Sequence, residues 1–212
     1  MKKSVYSLML FDEIVERIDR LAYHQDTNRS QLINDLLADH LGISTPEQQV
    51  QKVIDQLDSN LNELLPVSQM TKNSSIQFGK SLKYKYRPKV LYSYEFVTDS
   101  GKKYAVLKVS SRTKSETLNR QFDDFFDKIC RIEKQADFLV EEDVAHNTNH
   151  KFVRNLRDVG MVDSDTHHLS DFLTDYLKTI DQAMNVFFES DEQSEADRLI
   201  EEIYNQFFTR IK

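Results

Sequence analysis

The sequence of 212 residues has little of several residue types that define common protein classes. Its one cysteine, Cys130, cannot form a disulfide within the chain, which is typical of proteins in a reducing cytoplasm. With four glycines and three prolines, it contains neither the G-x-G-x-x-G nor the P-loop pattern. No apolar run approaches the roughly 20 residues of a membrane span, and the start of the chain lacks the apolar run of a secretory signal. These absences predict a mainly helical cytoplasmic protein with no membrane partner.

Patterns for catalysis and metal binding are missing as well. Neither the G-x-S-x-G pattern of serine hydrolases nor the H-E-x-x-H pattern of zinc enzymes occurs. His146 and His150 are four residues apart and His167 adjoins His168, but the intervening Asn-Thr-Asn is a poor helix and solvated histidines are the expectation. We therefore predict that the protein is not an enzyme and has no metal or cofactor.

The net charge of −7 is unevenly distributed. Residues 1–71 contain 6 basic and 11 acidic side chains, residues 72–114 contain 11 basic and 2 acidic, and residues 115–212 contain 11 basic and 22 acidic. A basic middle region between two acidic flanks indicates either a surface for an anionic partner or neutralisation within the chain.

The first forty residues predict one strand and two helices. Ser4 to Phe11 are rich in strand-forming residues, Asp12 is a candidate N-cap, and apolar residues then recur at helical spacing. A second helix is expected between an N-cap at Asn28 and a terminating Gly42. One strand leaves both of its edges unpaired, so we expect two copies to pair their strands antiparallel and to bury the apolar helix faces together.

Two motifs in residues 3–42 resemble the ribbon-helix-helix (Arc/MetJ-type) DNA-binding family. The run from Leu10 to Ala22 (LFDEIVERIDRLA) is similar to the first-helix pattern, with Phe11 where proline is common. The run from Asn28 to Ile33 (NRSQLI) is similar to the start of the second helix. The resemblance implies a homodimer whose two-stranded ribbon enters the major groove of double-stranded DNA.

The same resemblance implies a set of base-reading residues that alternate along the strand. They are Val5, Ser7 and Met9. The residues between them are expected to face the helices: Tyr6, Leu8 and Leu10. Only Ser7 has a side chain usual among base readers, so the two apolar positions indicate either contacts to thymine methyl groups or an apolar protein contact. A register slip of one residue would exchange the two sets.

Candidate phosphate contacts lie next to this strand and at the start of the second helix. Lys2 and Lys3 precede the strand. Asn28, Arg29 and Ser30 stand where free backbone amides and the helix dipole favour a phosphate, although helix capping explains Asn28 and Ser30 equally well.

A connecting helix is predicted from Pro46 to about Leu65. It starts with a capping box, Thr45-Pro46-Glu47-Gln48, and its apolar residues follow an a/d pattern over two heptads. This pattern fits either a coiled coil that extends the dimer or packing against the C-terminal domain of the same chain.

Residues 76–112 predict two or three antiparallel strands. Leu82, Tyr84 and Tyr86 alternate with basic residues, and Thr98 to Lys102 predicts a hairpin turn. The basic residues form a candidate surface for an anionic ligand: Lys83, Lys85, Arg87 and Lys89. The alternative is an edge strand protected by lysines and neutralised by the acidic helices that follow.

Four helical segments are expected after the sheet. They are Glu116–Gln135, a less regular segment through Val144–Val159, Leu169–Phe188 and Ser194–Ile211. Their apolar stripes are typical of a core.

Together these features predict an α+β protein that is mainly α with a small antiparallel sheet. We expect a ribbon-helix-helix dimerisation module in residues 1–44, a connecting helix in 45–70 and an α+β C-terminal domain in 75–212. The predicted function is a homodimeric or higher-order, sequence-specific transcriptional regulator, with a C-terminal domain for sensing an unidentified effector or for oligomerisation. The alternative is a protein-interaction or scaffold protein whose N-terminal module serves only dimerisation.

Overall fold

The computed structural model describes residues 4–99, 102–138, 144–147, 151–156 and 166–211. Over these residues the fold is α+β, with six helices and one antiparallel sheet of six strands. The elements in chain order are α1 (Asp12–His24), α2 (Arg29–His40), α3 (Pro46–Leu61), β1 (Val67–Thr71), β2 (Ser75–Ser81), β3 (Lys89–Asp99), β4 (Lys102–Ser111), α4 (Glu116–Gln135), β5 (Val144–Asn147), β6 (Lys151–Leu156), α5 (Thr166–Glu189) and α6 (Gln193–Ile211).

The sheet has the strand order β1-β2-β3-β4-β6-β5. Its centre is the β3–β4 hairpin, in which Asp99 lies opposite Lys102, so the hairpin predicted at this position is confirmed. Residues 76–112 contain three strands, β2, β3 and β4, as expected, but the whole sheet is larger than predicted because β1, β5 and β6 come from outside this range.

One face of the sheet packs against the helices. Tyr94 of β3 donates a hydrogen bond to the carbonyl of Leu173 in α5 (2.8 Å), and Phe152 of β6 stacks on Phe126 of α4 with ring centroids 4.6 Å apart. The opposite face carries mainly partly exposed polar residues, such as Gln77 and Ser93. This is the usual arrangement of an antiparallel sheet with one solvated face.

Helix α3 belongs to the same core. Its predicted capping box is present: Gln48 N–H donates to Thr45 Oγ1 (3.2 Å) and Thr45 N–H donates to Gln48 Oε1 (2.8 Å). The helix ends at Leu61 rather than Leu65, but both residues are fully buried. The apolar seam packs with the C-terminal core, including α5, which is the second of the two interpretations; no coiled-coil face remains exposed on it.

The helices α4, α5 and α6 confirm three of the four predicted helical segments. Helix α4 has the predicted bounds, and Ser115 Oγ caps it by accepting from Leu118 N–H (3.3 Å). The apolar stripes of all three helices are buried in the main core.

The fourth prediction, a helical segment through Val144–Val159, was wrong. Residues 144–147 and 151–156 form the strands β5 and β6, while residues 148–150 and 157–159 lie outside the described residues. In β6, Phe152, Arg154 and Leu156 are buried and the residues between them are half-buried, which is strand periodicity. The buried arginine conceals this alternation in the sequence, because a cation is normally assigned to the exposed face.

The predicted strand through Leu82–Arg87 was also wrong. Strand β2 ends at Ser81, and residues 82–88 connect it to β3. Tyr86 and Arg87 have φ values of 65° and 43°, which no strand accommodates. Pro88 lacks the N–H that a strand would need there.

Two groups of buried polar side chains join the layers. Arg154 forms an ion pair with Glu133 of α4 and donates to the Tyr176 hydroxyl of α5 (2.9 Å), which in turn donates to Glu133 (3.0 Å). Asp181 of α5 accepts from Lys80 Nζ (2.7 Å) and from the Tyr92 hydroxyl (2.9 Å). Each group satisfies a charge that would be costly to bury alone.

Candidate nucleic-acid interface

Residues 4–11 form no strand in the single chain. The residues expected to read bases are all exposed; Val5 and Met9 have essentially their whole side chains in solvent, at 98% and 101%. Among the residues expected to face the helices, the exposed fraction decreases along the chain as α1 is approached: it is 84% for Tyr6, 65% for Leu8 and 40% for Leu10. The described chain therefore does not contain the ribbon of the predicted dimer. The backbone groups of residues 4–11 have no strand partner within the described residues.

Helices α1 and α2 form a small cluster of their own. The cluster consists of Ile18, Ala22 and Leu32, with Ile33 packed against it. The N-cap of α1 is Phe11, which corrects the prediction of Asp12; no side-chain cap bond is made there, and Asp12 and Glu13 instead place negative charge in the first turn. Three fully packed side chains are too few to stabilise a module of forty residues.

The large apolar side chains exposed in the described structure are concentrated in this module. All but Leu64, Met70 and Tyr86 lie between Val5 and Ile43. They come from the extended segment and from both helices, including Ile14 and Leu21 of α1 and Leu36 and Leu37 of α2. An exposed apolar surface of this extent is typical of an interaction site.

The start of α2 has the predicted N-cap and, in addition, an ion pair to α1. Asn28 is the N-cap, and its Oδ1 accepts from Gln31 N–H (3.0 Å). Arg29 forms a two-pronged ion pair with Asp19 of α1: Nε to Oδ1 is 2.7 Å and Nη2 to Oδ2 is 2.5 Å. The hydrogen bonds from Arg29 lower the pKa of the Asp19 carboxyl. Arg29 thus joins the two helices, and a phosphate would have to compete with Asp19 for it.

Asp35, in the middle of α2, links this helix to the start of α3. Its carboxylate accepts from Gln31 Nε2 (2.9 Å) and from Thr45 Oγ1 (3.2 Å), so the residue that caps α3 also contacts α2. Gly42 adopts a φ of 68° just beyond α2, as expected for a residue that ends a helix. The sequence analysis did not identify Asp35 as an anchor, because its partner follows ten positions later.

The remaining candidate residues are distributed as follows. Ser7 and Ser30 are exposed, and Lys2 and Lys3 lie outside the described residues. The cations of the second candidate surface, Lys83, Lys85, Arg87 and Lys89, are exposed as well. The first three lie on the β2–β3 connection instead of on a sheet face.

Of the histidines considered for metal binding, only some lie within the described residues, and these fall in different elements. His146 lies in β5 and His150 outside the described residues, while His167 begins α5, where its Nδ1 is 2.7 Å from Gln56 Nε2. No group of three or more potential metal ligands occurs in the described part of the chain.

The described fold is thus an α+β domain that carries an apolar N-terminal module with a small core of its own. No protein-family model matches this chain, and no significant match is found among curated proteins or solved structures. The resemblance of residues 3–42 to the ribbon-helix-helix family accordingly remains a prediction. None of the helices described has the length and apolar character needed to cross a membrane.

Proposed function

We propose that this chain is the protomer of a homodimeric, sequence-specific DNA-binding regulator. Residues 4–11 of two copies pair into an antiparallel ribbon that enters the major groove, and the α1–α2 pairs bury their apolar faces beneath it. The C-terminal domain senses an effector or extends the assembly.

One observation carries this proposal: exposed apolar side chains are concentrated on residues 5–43, next to an extended segment without a strand partner. A second copy supplies both missing contacts at once, because a twofold axis places each segment beside its equivalent. The gradient of exposure from Tyr6 to Leu10 supports the register in which these alternate residues turn towards the helices.

The acidic character of the N-terminal module favours specific contacts to DNA over general attraction to its phosphates. Its acidic residues limit non-specific attraction to the phosphate backbone. Phosphates are held by the exposed amides at the start of α2 and by Arg29, if a phosphate displaces Asp19. Sequence preference comes from Ser7 and from contacts of Val5 and Met9 with thymine methyl groups.

A second candidate function is a protein-interaction or scaffold protein with the same dimer. It is favoured by the complete exposure of Val5 and Met9, since base-reading positions usually carry hydrogen-bonding side chains. In that case the outer face of the ribbon binds an apolar surface of another protein.

The proposal is tested with Leu8→Glu and Met9→Glu, two charge substitutions at neighbouring positions. Leu8 is expected to face the helices, so its substitution should produce a monomer that binds no DNA. Met9 is expected to face the groove, so its substitution should leave the dimer intact and abolish preference for the specific site. Sedimentation velocity reports the assembly, and gel shifts compare a fragment with the protein's own promoter against random DNA of equal length.

Three results would count against the proposal. A monomeric wild-type chain removes its basis. A dimer without preference for any genomic fragment favours the scaffold function. If Met9→Glu dissociates the dimer while Leu8→Glu does not, the ribbon has the opposite register.

A further inference from the structure

The connection between β2 and β3 is a structured loop, fixed at three points. Leu82 is buried and its N–H donates to the carbonyl of Pro88 (2.9 Å), which closes the base of the loop. Tyr84 packs edge-on against Phe188 of α5, with ring centroids 5.3 Å apart, and its hydroxyl accepts from Gln121 Nε2 (3.1 Å). The loop is thereby attached to the helical layer.

The residues between these anchors point away from the core. Lys83, Lys85 and Arg87 are exposed, and the side chain of Tyr86 is 92% exposed. Tyr86 and Arg87 both adopt positive φ, and Arg87 N–H donates to the Tyr84 carbonyl (2.9 Å). The loop therefore holds an aromatic ring in solvent in a backbone conformation that is unfavourable for non-glycine residues.

No carboxylate in the described part of the chain neutralises the cations of this loop. Lys83, Lys85 and Arg87 form no ion pair with a described carboxylate, whereas Lys80 in the preceding strand β2 is paired with Asp181. Arg112 adds another exposed cation beside the end of the loop, since its N–H donates to the carbonyl of Lys89 (2.9 Å).

We propose that this loop, with Lys83, Lys85, Tyr86, Arg87, Lys89 and Arg112, is a binding site for single-stranded nucleic acid. The cations contact phosphates, and the Tyr86 ring stacks on an unpaired base. A duplex offers no base face to this ring, because its bases are already stacked. The site is independent of the N-terminal module and does not depend on the ribbon.

The test measures fluorescence anisotropy of labelled oligothymidylate of about 20 nucleotides, with the full-length protein at about 50 mM salt. Tyr86→Ala should weaken binding about fivefold or more, and Tyr86→Phe, which keeps the ring, should bind like the wild type. Arg87→Gln should weaken binding and reduce the slope of log K against log salt by about 0.7. The matched control is Lys72→Gln, which should change binding less than twofold. Lys72 is an exposed lysine in the β1–β2 turn, at the opposite end of β2 from the loop.

Circular dichroism of each variant verifies that the fold is retained. The proposal is overturned if the oligonucleotide does not bind, if Tyr86→Ala binds as well as the wild type, or if Lys72→Gln and Arg87→Gln lose binding equally. It is also overturned if Tyr86→Ala leaves the oligonucleotide bound but abolishes sedimentation with vesicles containing phosphatidylserine, because the loop then contacts an anionic lipid surface.

Discussion

Two buried tyrosines in the C-terminal core differ in whether the hydroxyl has a hydrogen-bond partner. The Tyr94 hydroxyl donates to the Leu173 carbonyl (2.8 Å), whereas the Tyr204 hydroxyl is buried without a hydrogen-bond partner in the described structure. Burial raises the pKa of both phenols well above the ordinary value. An unsatisfied buried hydroxyl costs free energy that a satisfied one does not.

Removing each hydroxyl should therefore have opposite effects on stability. We expect Tyr94→Phe to lower the free energy of unfolding by about 1 kcal/mol, and Tyr204→Phe to leave it unchanged or raise it by about 1 kcal/mol. Urea unfolding followed by circular dichroism measures both variants against the wild type. A loss for Tyr204→Phe as large as that for Tyr94→Phe would indicate a hydrogen bond that the structure does not show.

Arg29 has two candidate partners, Asp19 and a DNA phosphate. If it contacts phosphate, Arg29→Ala should weaken binding to all sequences and reduce the salt slope by about 1. Asp19→Asn should strengthen binding to all sequences, because it frees Arg29 and removes a negative charge. Ser7→Ala should instead change the preference among sequences. Binding titrations over a salt series separate these effects.

The informative result is that Arg29→Ala and Asp19→Asn change the DNA affinity in opposite directions. Equal losses for Arg29→Ala and Asp19→Asn would mean that the pair acts only by joining α1 to α2. Equal losses of Ser7→Ala on specific and random DNA would remove Ser7 from the base-reading set.

At the level of elements, Glu133, Arg154 and Tyr176 tie α4, β6 and α5 together. Arg154 and Glu133 are almost completely buried, and Arg154 also lies over the Phe152 ring, with Cζ 5.2 Å from its centroid. Burial raises the pKa of Tyr176 to about 12, and the effect of burial exceeds the opposing effect of Arg154. The phenol is thus a neutral donor between the two charges.

Removing one charge of the Arg154–Glu133 pair should lower the free energy of unfolding more than replacing both charges with apolar side chains. We expect Arg154→Met to lower the free energy of unfolding by about 3–5 kcal/mol, because it leaves the Glu133 charge buried and unpaired. The double variant Arg154→Met, Glu133→Leu should recover much of that loss. Urea unfolding of Arg154→Met, Glu133→Leu and the double variant gives the coupling between the two positions.

Arg198→Ala is the control, because its pair with Glu202 is exposed on one face of α6 and should contribute less than about 0.5 kcal/mol. Strictly additive losses for Arg154 and Glu133 would contradict a coupled ion pair.

The elements also show why the same apolar periodicity leads to different environments. Helix α3 buries its whole stripe against its own chain, whereas α1 and α2 leave Leu21, Leu36 and Leu37 about half exposed. The heptad-like spacing in α3 was compatible with a coiled coil, and only the position of α5 decided the partner.

Over the whole molecule, four fully buried tyrosines make stability sensitive to alkaline pH. They are Tyr92, Tyr94, Tyr176 and Tyr204, and burial is the main cause of the raised pKa of each. In the unfolded chain these phenols lose their protons near pH 10, but in the native state they keep them to higher pH. The native state therefore binds more protons above this pH.

Stability should consequently be fully retained below about pH 9 and fall as the pH rises through about 10. Each buried tyrosine contributes a slope of up to about 1.4 kcal/mol per pH unit. The buried Cys130 thiol, whose pKa is also raised by burial, adds an effect of the same sign. Urea midpoints between about pH 8 and 11 measure the slope, which Tyr94→Phe should reduce. A flat profile over this range would contradict the burial of these phenols in solution.

Sequence patterns predicted the local features of this fold well. The capping box of α3, the bounds of α4, the Asn28 cap and the β3–β4 hairpin were all evident because each depends on residues a few positions apart. The β6 strand was missed because Arg154 interrupts its apolar alternation, and the partners that make this arginine tolerable lie 21 and 22 positions away. The β2–β3 loop was taken for a strand because basic and apolar residues alternate there. In the structure, Leu82 and Tyr84 anchor the loop and Lys83 and Lys85 are exposed, without any strand pairing.

The sequence alone determined the α+β class, the bounds of α4, the N-caps of α2 and α3 and the excess of basic residues between 72 and 114, since these follow from composition and short-range patterns. Only the tertiary structure decided the six-strand order, the neutralisation of Lys80 by Asp181 and the exposure of Tyr86 among cations that have no partner among the described carboxylates. Such features join residues that are distant along the chain, and their free energies depend on which partner is within reach after folding. For residues 4–43, a single chain leaves most of the large apolar side chains exposed, and we propose that a second copy supplies the contacts that bury them.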